Sequence, residues 1–294
     1  MATFATSDQL LVIIDPAARQ TDGESVRIAK DVLTAGAAAK VCLPDGPEEF
    51  ARVLGRRGSR RPVVIGDDRA LVRAVTVLHR QRELAGCALS VVPVGDARLA
   101  RSLGVPAGAV AAARAVLDGT VRRLDLLVDD SDGVVLGTLG IPPEPVREAA
   151  EPFAGAPGGP WLRTTYRSLV RTLATRPVRL PAIPAAGPTR LRVEVDGATV
   201  VDLDQPVRAV SVVPGASGVA RVEVRPLPVG AEATLLRVSG RAVTVVGTDF
   251  RYRADALVSG PVRRRTWQVA EGAWGLTLPP AQTRTRTQTP APAP

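Results

Sequence analysis

The sequence predicts a two-domain protein: an N-terminal α/β layer domain with a mostly parallel sheet, followed by a C-terminal antiparallel, β-sandwich-like domain. Two patterns support this prediction. As far as residue 128, short apolar runs alternate with longer stretches of helical periodicity, which is typical of a parallel sheet covered by helices. After residue 130, apolar and polar residues alternate one by one between Gly, Asp and Pro turns, which is typical of antiparallel strands. We therefore predict domains at 1–130 and 131–280 and a tail at 281–294.

The N-terminal half contains five short apolar runs that are candidates for buried parallel strands. Their β-branched residues and their shortness favour strands over helices. Between them lie segments with apolar residues at three- and four-residue spacing, most of which end in glycine, a common helix terminator. The strand candidates are residues 10–14, 40–44, 62–65, 89–94 and 124–128.

The C-terminal half begins with a segment rich in Pro and Gly (141–160) and one more helical pattern (161–176). The alternating segments that follow include RLRVEVDGATVVDL, GVARVEVRPL and RRRTWQVA. Turn residues recur about every eight to twelve positions, which favours an antiparallel sheet or sandwich. Residues 281–294 have no apolar anchor and are predicted to form a disordered basic tail.

The composition is ordinary for a globular protein but has a strong basic bias. Of the 294 residues, 45% are hydrophobic and 23% charged, and the net charge is +9. Since only 3% of residues are aromatic and the arginines are scattered, the sequence disfavours nucleic acid as a partner. A lipid membrane surface or a phosphorylated ligand suits the charge at least as well.

The location expected from the sequence is the cytoplasm, with peripheral membrane attachment left open. No apolar run approaches the roughly 18 residues of a membrane-spanning helix, and MATFATSDQ lacks the parts of a signal peptide. Cys42 and Cys87 are isolated and His79 is the only histidine. Zinc sites, disulfide frameworks and Ser-His or Cys-His pairs are therefore excluded, and reduced, buried thiols are expected.

The segment RPVVIGDDRALVRAVTVLHR (61–80) predicts a buried strand, a tight polar turn and a helix, an arrangement found at many phosphate sites. A phosphate loop normally uses glycines, whereas here Asp67 and Asp68 are negative and Arg69 is bulky. One interpretation is a helix N-terminus whose acids interact favourably with the helix dipole and need no ligand. The other is a phosphate site in which Arg69 binds a phosphate and Asp68 holds Mg²⁺.

Several segments, taken in order, resemble the diacylglycerol kinase catalytic-domain family, which includes bacterial lipid kinases. GDDRAL is similar to the family's Gly-Gly-Asp-Gly-Thr-Leu and keeps Gly66, Asp68 and Leu71. PVGDARLARSLGVP resembles its Pro-x-Gly-Thr-Gly-Asn turn and the segment after it, and keeps Pro93 and Gly95. Three weaker similarities are IIDPAAR (13–19) to the opening Asn-Pro element, RRLDLLV (122–128) to the strand carrying an Asp, and RADAL (253–257) to an Asp-Gly-Glu element.

The resemblance implies an ATP-dependent kinase that phosphorylates the hydroxyl of a diacylglycerol-like lipid, with Mg²⁺ and ATP bound. Residues 1–130 would then bind nucleotide and residues 131–280 lipid. The resemblance implies catalytic roles for Asp68 and Asp255, and Asp68 would also be the metal ligand. The implied nucleotide-binding residues are Asp15, Gly66, Asp67, Asp68, Arg69 and Gly95.

The sequence departs from the family on the loops that carry the chemistry. Asp67, Arg69 and Ala70 replace Gly, Gly and Thr, and Ala256 and Leu257 replace the Gly and Glu of the last element. Lost glycines and an added carboxylate predict that ATP binding is weakened or lost.

Other readings of the sequence stay open. A non-catalytic relative would bind nucleotide, lipid or a partner through a cleft lined by these same residues. Taken alone, Asp255 favours a solvated turn acid over a catalytic residue. A basic nucleic-acid-associated protein is a third alternative, and a homodimer is left open.

Overall fold

The computed structural model describes residues 9–143, 189–227 and 234–280. The helices of these ranges are Pro16–Thr21 (α1), Gly23–Gly36 (α2), Pro47–Gly55 (α3), Asp68–Arg80 (α4), Arg98–Ser102 (α5) and Ala109–Asp118 (α6). The strands are Gln9–Ile14 (β1), Ala38–Cys42 (β2), Arg61–Gly66 (β3), Ala88–Pro93 (β4), Thr120–Asp129 (β5), Val134–Val135 (β6), Leu139–Ile141 (β7), Thr189–Val195 (β8), Ala198–Val201 (β9), Pro206–Pro214 (β10), Ala220–Pro226 (β11), Leu236–Gly240 (β12), Ala242–Ala254 (β13) and Leu257–Leu278 (β14). The helix predicted at 161–176 and the tail predicted at 281–294 lie outside the described residues.

The first four strands are parallel and lie in the order β2-β1-β3-β4. Strands β1, β3 and β4 are buried at nearly every position, which explains why their sequences are continuously apolar. Because parallel strands end at one edge of the sheet, the turns after β1, β3 and β4 lie side by side. This edge carries most of the residues predicted to bind nucleotide.

Strand β14 joins the parallel strands to the rest of the molecule. Its last residues pair in parallel with β4, and along its length it pairs antiparallel with β5 and β13. A bulge between Ala270 and Trp274, with Gly272 at φ +52°, divides the strand. The buried indole of Trp274 packs in the core of the parallel strands and that of Trp267 in a second core around β8, β10 and β13. One strand therefore contributes to both apolar cores.

The predicted fold class is wrong. Strands make up 48% and helices 26% of the described residues, and most strands belong to a large antiparallel sheet that is continuous with the parallel strands. In addition, β7, β13, β8 and β10 pair in a closed ring, which is a barrel and not an open sandwich. The physical reason is that the sequence pattern divides β14 into two segments, RRRTWQVA and WGLTL, and so does not reveal that this strand bridges the two halves. The domain boundaries at 130 and 280 stay predictions.

Three further features of the described residues bear on function. None of their helices has both the length and the apolar character needed to cross a membrane. Cys42 and Cys87 are free thiols, and only Cys87 is buried. The imidazole Nε2 of His79, late on α4, lies 4.0 Å from Asp132 Oδ1.

Candidate functional site

The turn between β3 and α4 is shaped by close packing at Gly66 and by a helix cap at Asp67. A Cβ on Gly66 would lie 2.7 Å from the Ala70 Cβ and 3.1 Å from the Asp15 Cβ, so a larger residue does not fit without displacement. The Asp67 carboxylate caps α4 by accepting the Ala70 N–H at 3.0 Å. Asp67 therefore satisfies a donor at the helix N-terminus that would otherwise point to solvent or a ligand.

The carboxylate of Asp68 is buried and binds the start of α5. Its Oδ2 accepts the Leu99 N–H at 2.8 Å and its Oδ1 accepts the Ala100 N–H at 3.0 Å. Burial raises the pKa of Asp68 above its ordinary value, and these two N–H groups act in the opposite direction. The backbone N–H of Asp68 itself donates to the Asp96 carbonyl at 2.9 Å. Asp68 thus ties the turn after β3 to the turn after β4.

Asp15 lies directly after β1 and is held in two ways. Its Oδ1 accepts the Ala17 N–H at 2.9 Å and caps α1, and its Oδ2 forms an ion pair with Arg73 Nη1 at 2.6 Å. Arg73 comes from α4 and its guanidinium lies 5.4 Å from the centre of the Phe50 ring. Sequence reasoning missed Arg73, although its position one helical turn after Arg69 places it near the sheet edge.

Gly95 forms the neighbouring turn with φ +87°, a conformation that favours glycine. A Cβ there would lie 3.7 Å from the Asp67 Cβ, so the two turns are in contact. Arg69 is exposed on the first turn of α4, and together with Arg98, the main cause, and Arg101 it lowers the pKa of Asp96. The predicted nucleotide-binding residues therefore share one edge of the sheet, where Arg69, Arg98 and Arg101 are exposed cations.

Asp255 has φ +50° at the start of the β13–β14 turn, and its carboxylate accepts three backbone N–H groups. Oδ2 accepts from Leu136 at 2.7 Å, and Oδ1 accepts from Gly137 at 2.8 Å and from Thr138 at 2.9 Å. Burial raises the pKa of Asp255, the three N–H groups lower it, and the charge of Asp68 raises it. Asp255 is therefore not a solvated turn acid but a clamp on the β6–β7 turn.

Asp68 and Asp255 are brought together through α5. Leu99, whose N–H binds Asp68, packs so closely on Gly137 that a Cβ there would lie 2.5 Å from the Leu99 Cδ1. Gly137 in turn donates its N–H to Asp255. The two acids predicted to be catalytic thus flank one contact between the parallel strands and the β-rich region. Sequence reasoning could not find Leu99 or Gly137, because they act through backbone N–H groups and close packing.

A cavity of about 320 Å³ lies beside this contact, between α4 and the β-rich region. Thr76, Asp129, Tyr252, Leu257 and Arg265 line it. Arg265 donates to Ser131 Oγ at 2.7 Å and pairs with Asp130, while the Tyr252 hydroxyl donates weakly to Asp129 at 3.4 Å. Polar and apolar side chains therefore line this cavity together.

The residues at this edge of the sheet offer few free groups to the magnesium ion and ATP that the resemblance implies. Each oxygen of Asp68 already accepts one backbone N–H, and nowhere in the described ranges do three His, Cys, Asp or Glu side chains cluster so as to hold a metal ion. The N–H groups of Asp68 and Ala70, which a phosphate would use, are bound to Asp96 and Asp67. These donors and acceptors are therefore already satisfied from within the chain.

Comparisons with known proteins agree with this architecture. Three solved structures, each described as a diacylglycerol kinase or a putative one from Bacillus anthracis str. Sterne, match 93% of this chain and 96–98% of their own. Their TM-scores are 0.67, 0.66 and 0.64, with sequence identities of 16%, 15% and 15%. No protein-family model matches the sequence, and no curated protein matches it. The chain therefore has the fold of these bacterial diacylglycerol kinases, as the sequence motifs predicted.

Proposed function

We propose that this protein is a lipid-kinase-like protein in which the ATP-dependent phosphorylation of a diacylglycerol-like hydroxyl is weakened. The shared fold supports the kinase class, and one observation supports the weakening. Two carboxylates of the chain already accept N–H groups that a phosphate cradle would use. Asp67 accepts from the start of α4, and Asp68 accepts from the start of α5. An incoming phosphate would have to displace a carboxylate or bind beside it.

The electrostatics at the turn support the same proposal. A carboxylate close to a phosphate repels it by roughly 1 to 4 kcal/mol, depending on the local dielectric. Arg69 is exposed at the first turn of α4 and offsets part of this repulsion. We therefore propose that Arg69 is the main remaining phosphate ligand and that residues 1–130 receive the nucleotide.

A second candidate is a non-catalytic relative that binds lipid or a partner through the same cleft. The contacts of Asp255 favour it, because a carboxylate that accepts three N–H groups is a poor general base for a lipid hydroxyl. In this candidate, Asp255 and Asp68 serve only to hold the parallel strands and the β-rich region together.

Titration of Mg-ATP into the native protein and into the Asp67→Gly/Arg69→Gly variant tests both candidates. We expect the variant to bind more tightly, because a repelling carboxylate is removed and backbone freedom is restored. The Asp204→Gly/Arg208→Gly variant, in the β9–β10 region, carries the same change of charge and should match the native protein. Tight binding by the native protein that is lost in the variant would make Arg69 a working ligand and contradict the weakening. Absence of binding by both forms would favour the non-catalytic relative.

A further inference from the structure

The tip of the β13–β14 hairpin, residues 250–262, exposes two adjacent aliphatic side chains. Leu257 is 48% exposed and Val258 is 49% exposed, and they follow Asp255 and Ala256 in the chain. In the strand register Leu257 lies opposite Ala254 and Val258 opposite Arg253, so the two side chains point to opposite faces of the hairpin. The hairpin therefore ends in an apolar wedge and not in an apolar face that another strand could cover.

The charged side chains that face solvent within this tip are arginines. Arg251 is exposed and Arg253 is half-buried, whereas Arg263 and Arg264 are exposed further along the hairpin, beside Asp249 and opposite Val246. The nearby exposed acid, Asp249, pairs with Arg263 at 3.4 Å. The carboxylate of Asp255 is turned inward onto backbone N–H groups and so does not offset the arginines at the surface.

We propose that the tip of the β13–β14 hairpin docks on an anionic lipid bilayer, with Leu257 and Val258 in the interface and the arginines on the headgroups. An aliphatic pair flanked by arginines matches the apolar interior and the negative surface of such a membrane. Two half-exposed side chains are far too small for a stable protein interface, which needs about 800 Å² on each partner. Nucleic acid would use the arginines but not the aliphatic pair.

In the docked orientation, the tip lies next to the cavity described above. Leu257 also lines the cavity of about 320 Å³ with Tyr252 and Arg265. A bilayer at the tip would therefore lie at the mouth of that cavity. The proposal goes beyond kinase activity, because docking needs neither ATP nor phosphoryl transfer.

Co-sedimentation with extruded vesicles, without nucleotide, tests the proposal. We expect binding to vesicles of phosphatidylcholine with about one third phosphatidylglycerol, little binding to phosphatidylcholine alone, and a decrease with added salt. The Leu257→Gln/Val258→Thr variant should bind about tenfold more weakly. The control variant Leu43→Gln/Val121→Thr alters side chains that are 52% and 44% exposed, after β2 and on β5, and it should bind like the native protein.

The arginines are tested in the same assay. The Arg251→Gln/Arg253→Gln variant should lose about fivefold in affinity per arginine, whereas Arg52→Gln/Arg56→Gln at α3, with the same net charge, should lose much less. Unchanged circular dichroism and melting temperatures show that each variant is folded. Equal losses in tip and control variants would overturn the proposal, as would equal binding to both vesicle types or no binding to either. Preference for duplex DNA over anionic vesicles at the same salt concentration would also overturn it.

Discussion

The strongest prediction from the structure is that Asp255 stabilises the fold, which can be tested by replacing it. The Asp255→Ala variant leaves three N–H donors of the β6–β7 turn without their acceptor. Thr138 is exposed and water can bind its N–H, but Leu136 is buried and Gly137 is partly buried. With about 1.5–3 kcal/mol for each of these two hydrogen bonds to a charged group, we expect a loss of about 3–6 kcal/mol in the free energy of unfolding.

Two further variants separate the hydrogen bonds from the backbone strain. Asp255→Asn keeps an oxygen for Gly137 and Thr138 and tolerates φ +50°, so it should lose only about 1.5–3 kcal/mol. The matched control is Asp249→Ala, which has φ +47° but is 59% exposed with a single ion pair, and it should lose at most about 1 kcal/mol.

Urea unfolding monitored by circular dichroism measures these differences at neutral pH. If Asp255→Ala is as stable as Asp249→Ala, the three hydrogen bonds contribute nothing. The carboxylate would then be available for chemistry, and the reasoning that makes Asp255 a clamp would fail. Loss of lipid phosphorylation without loss of stability would point the same way, because it is the result expected for a general base.

Three other predictions concern titration, packing and thiol reactivity. Burial raises the pKa of Asp68 above 3.8, so its contribution to stability is complete below that pH and is lost as the pH rises through the pKa of the folded state. The free energy of unfolding in urea should therefore depend less on pH for Asp68→Asn than for the native protein between about pH 4 and 7. Gly66→Ala should destabilise by about 1–3 kcal/mol in thermal unfolding, whereas Gly23→Ala, where a Cβ meets no atom within 4 Å, should be neutral or slightly stabilising. Burial raises the pKa of Cys87, so a thiol reagent should label Cys42 first at neutral pH, and equal rates would contradict the packing around Cys87.

Local features of the fold could be predicted from the sequence because they depend on neighbouring residues. Strands occur at each of the five apolar runs, and Asp67 caps α4, as acids before a helical pattern commonly do. The turns after β1, β3 and β4 could also be placed on one edge, since parallel strands share their direction.

The connection of the two halves could not be predicted, because it depends on pairing between distant residues. Strand β14 pairs with β5, which lies more than 100 residues earlier in the chain, over nine positions. Its bulge at Ala270–Trp274 breaks the alternation of the sequence, so the pattern indicated two short strands. The closed ring likewise needs β7 to pair with both β10 and β13, and three residues carry too little pattern to reveal this.

The sequence could place Asp68 and Asp255 near each other, but it could not reveal what their carboxylates bind. Asp68 and Asp255 do lie near one contact, but the partners of both carboxylates are backbone N–H groups. Every residue other than proline carries such a group, so no sequence pattern marks the ones that are used. Asp125 follows the same rule, because its carboxylate accepts the N–H groups of Gly218 and Gly272.

These carboxylates explain how the fold can persist while its glycine-rich turns are altered. A loop built to bind phosphate leaves N–H donors exposed when its ligand is absent, and this lowers its stability. Here Asp67 and Asp68 supply acceptors from within the chain, so the ends of α4 and α5 are satisfied without a ligand. The same acceptors compete with any phosphate for those donors. At the proposed nucleotide site, stability of the empty turn and affinity for phosphate are therefore opposed, and the acids at 67 and 68 favour the empty turn.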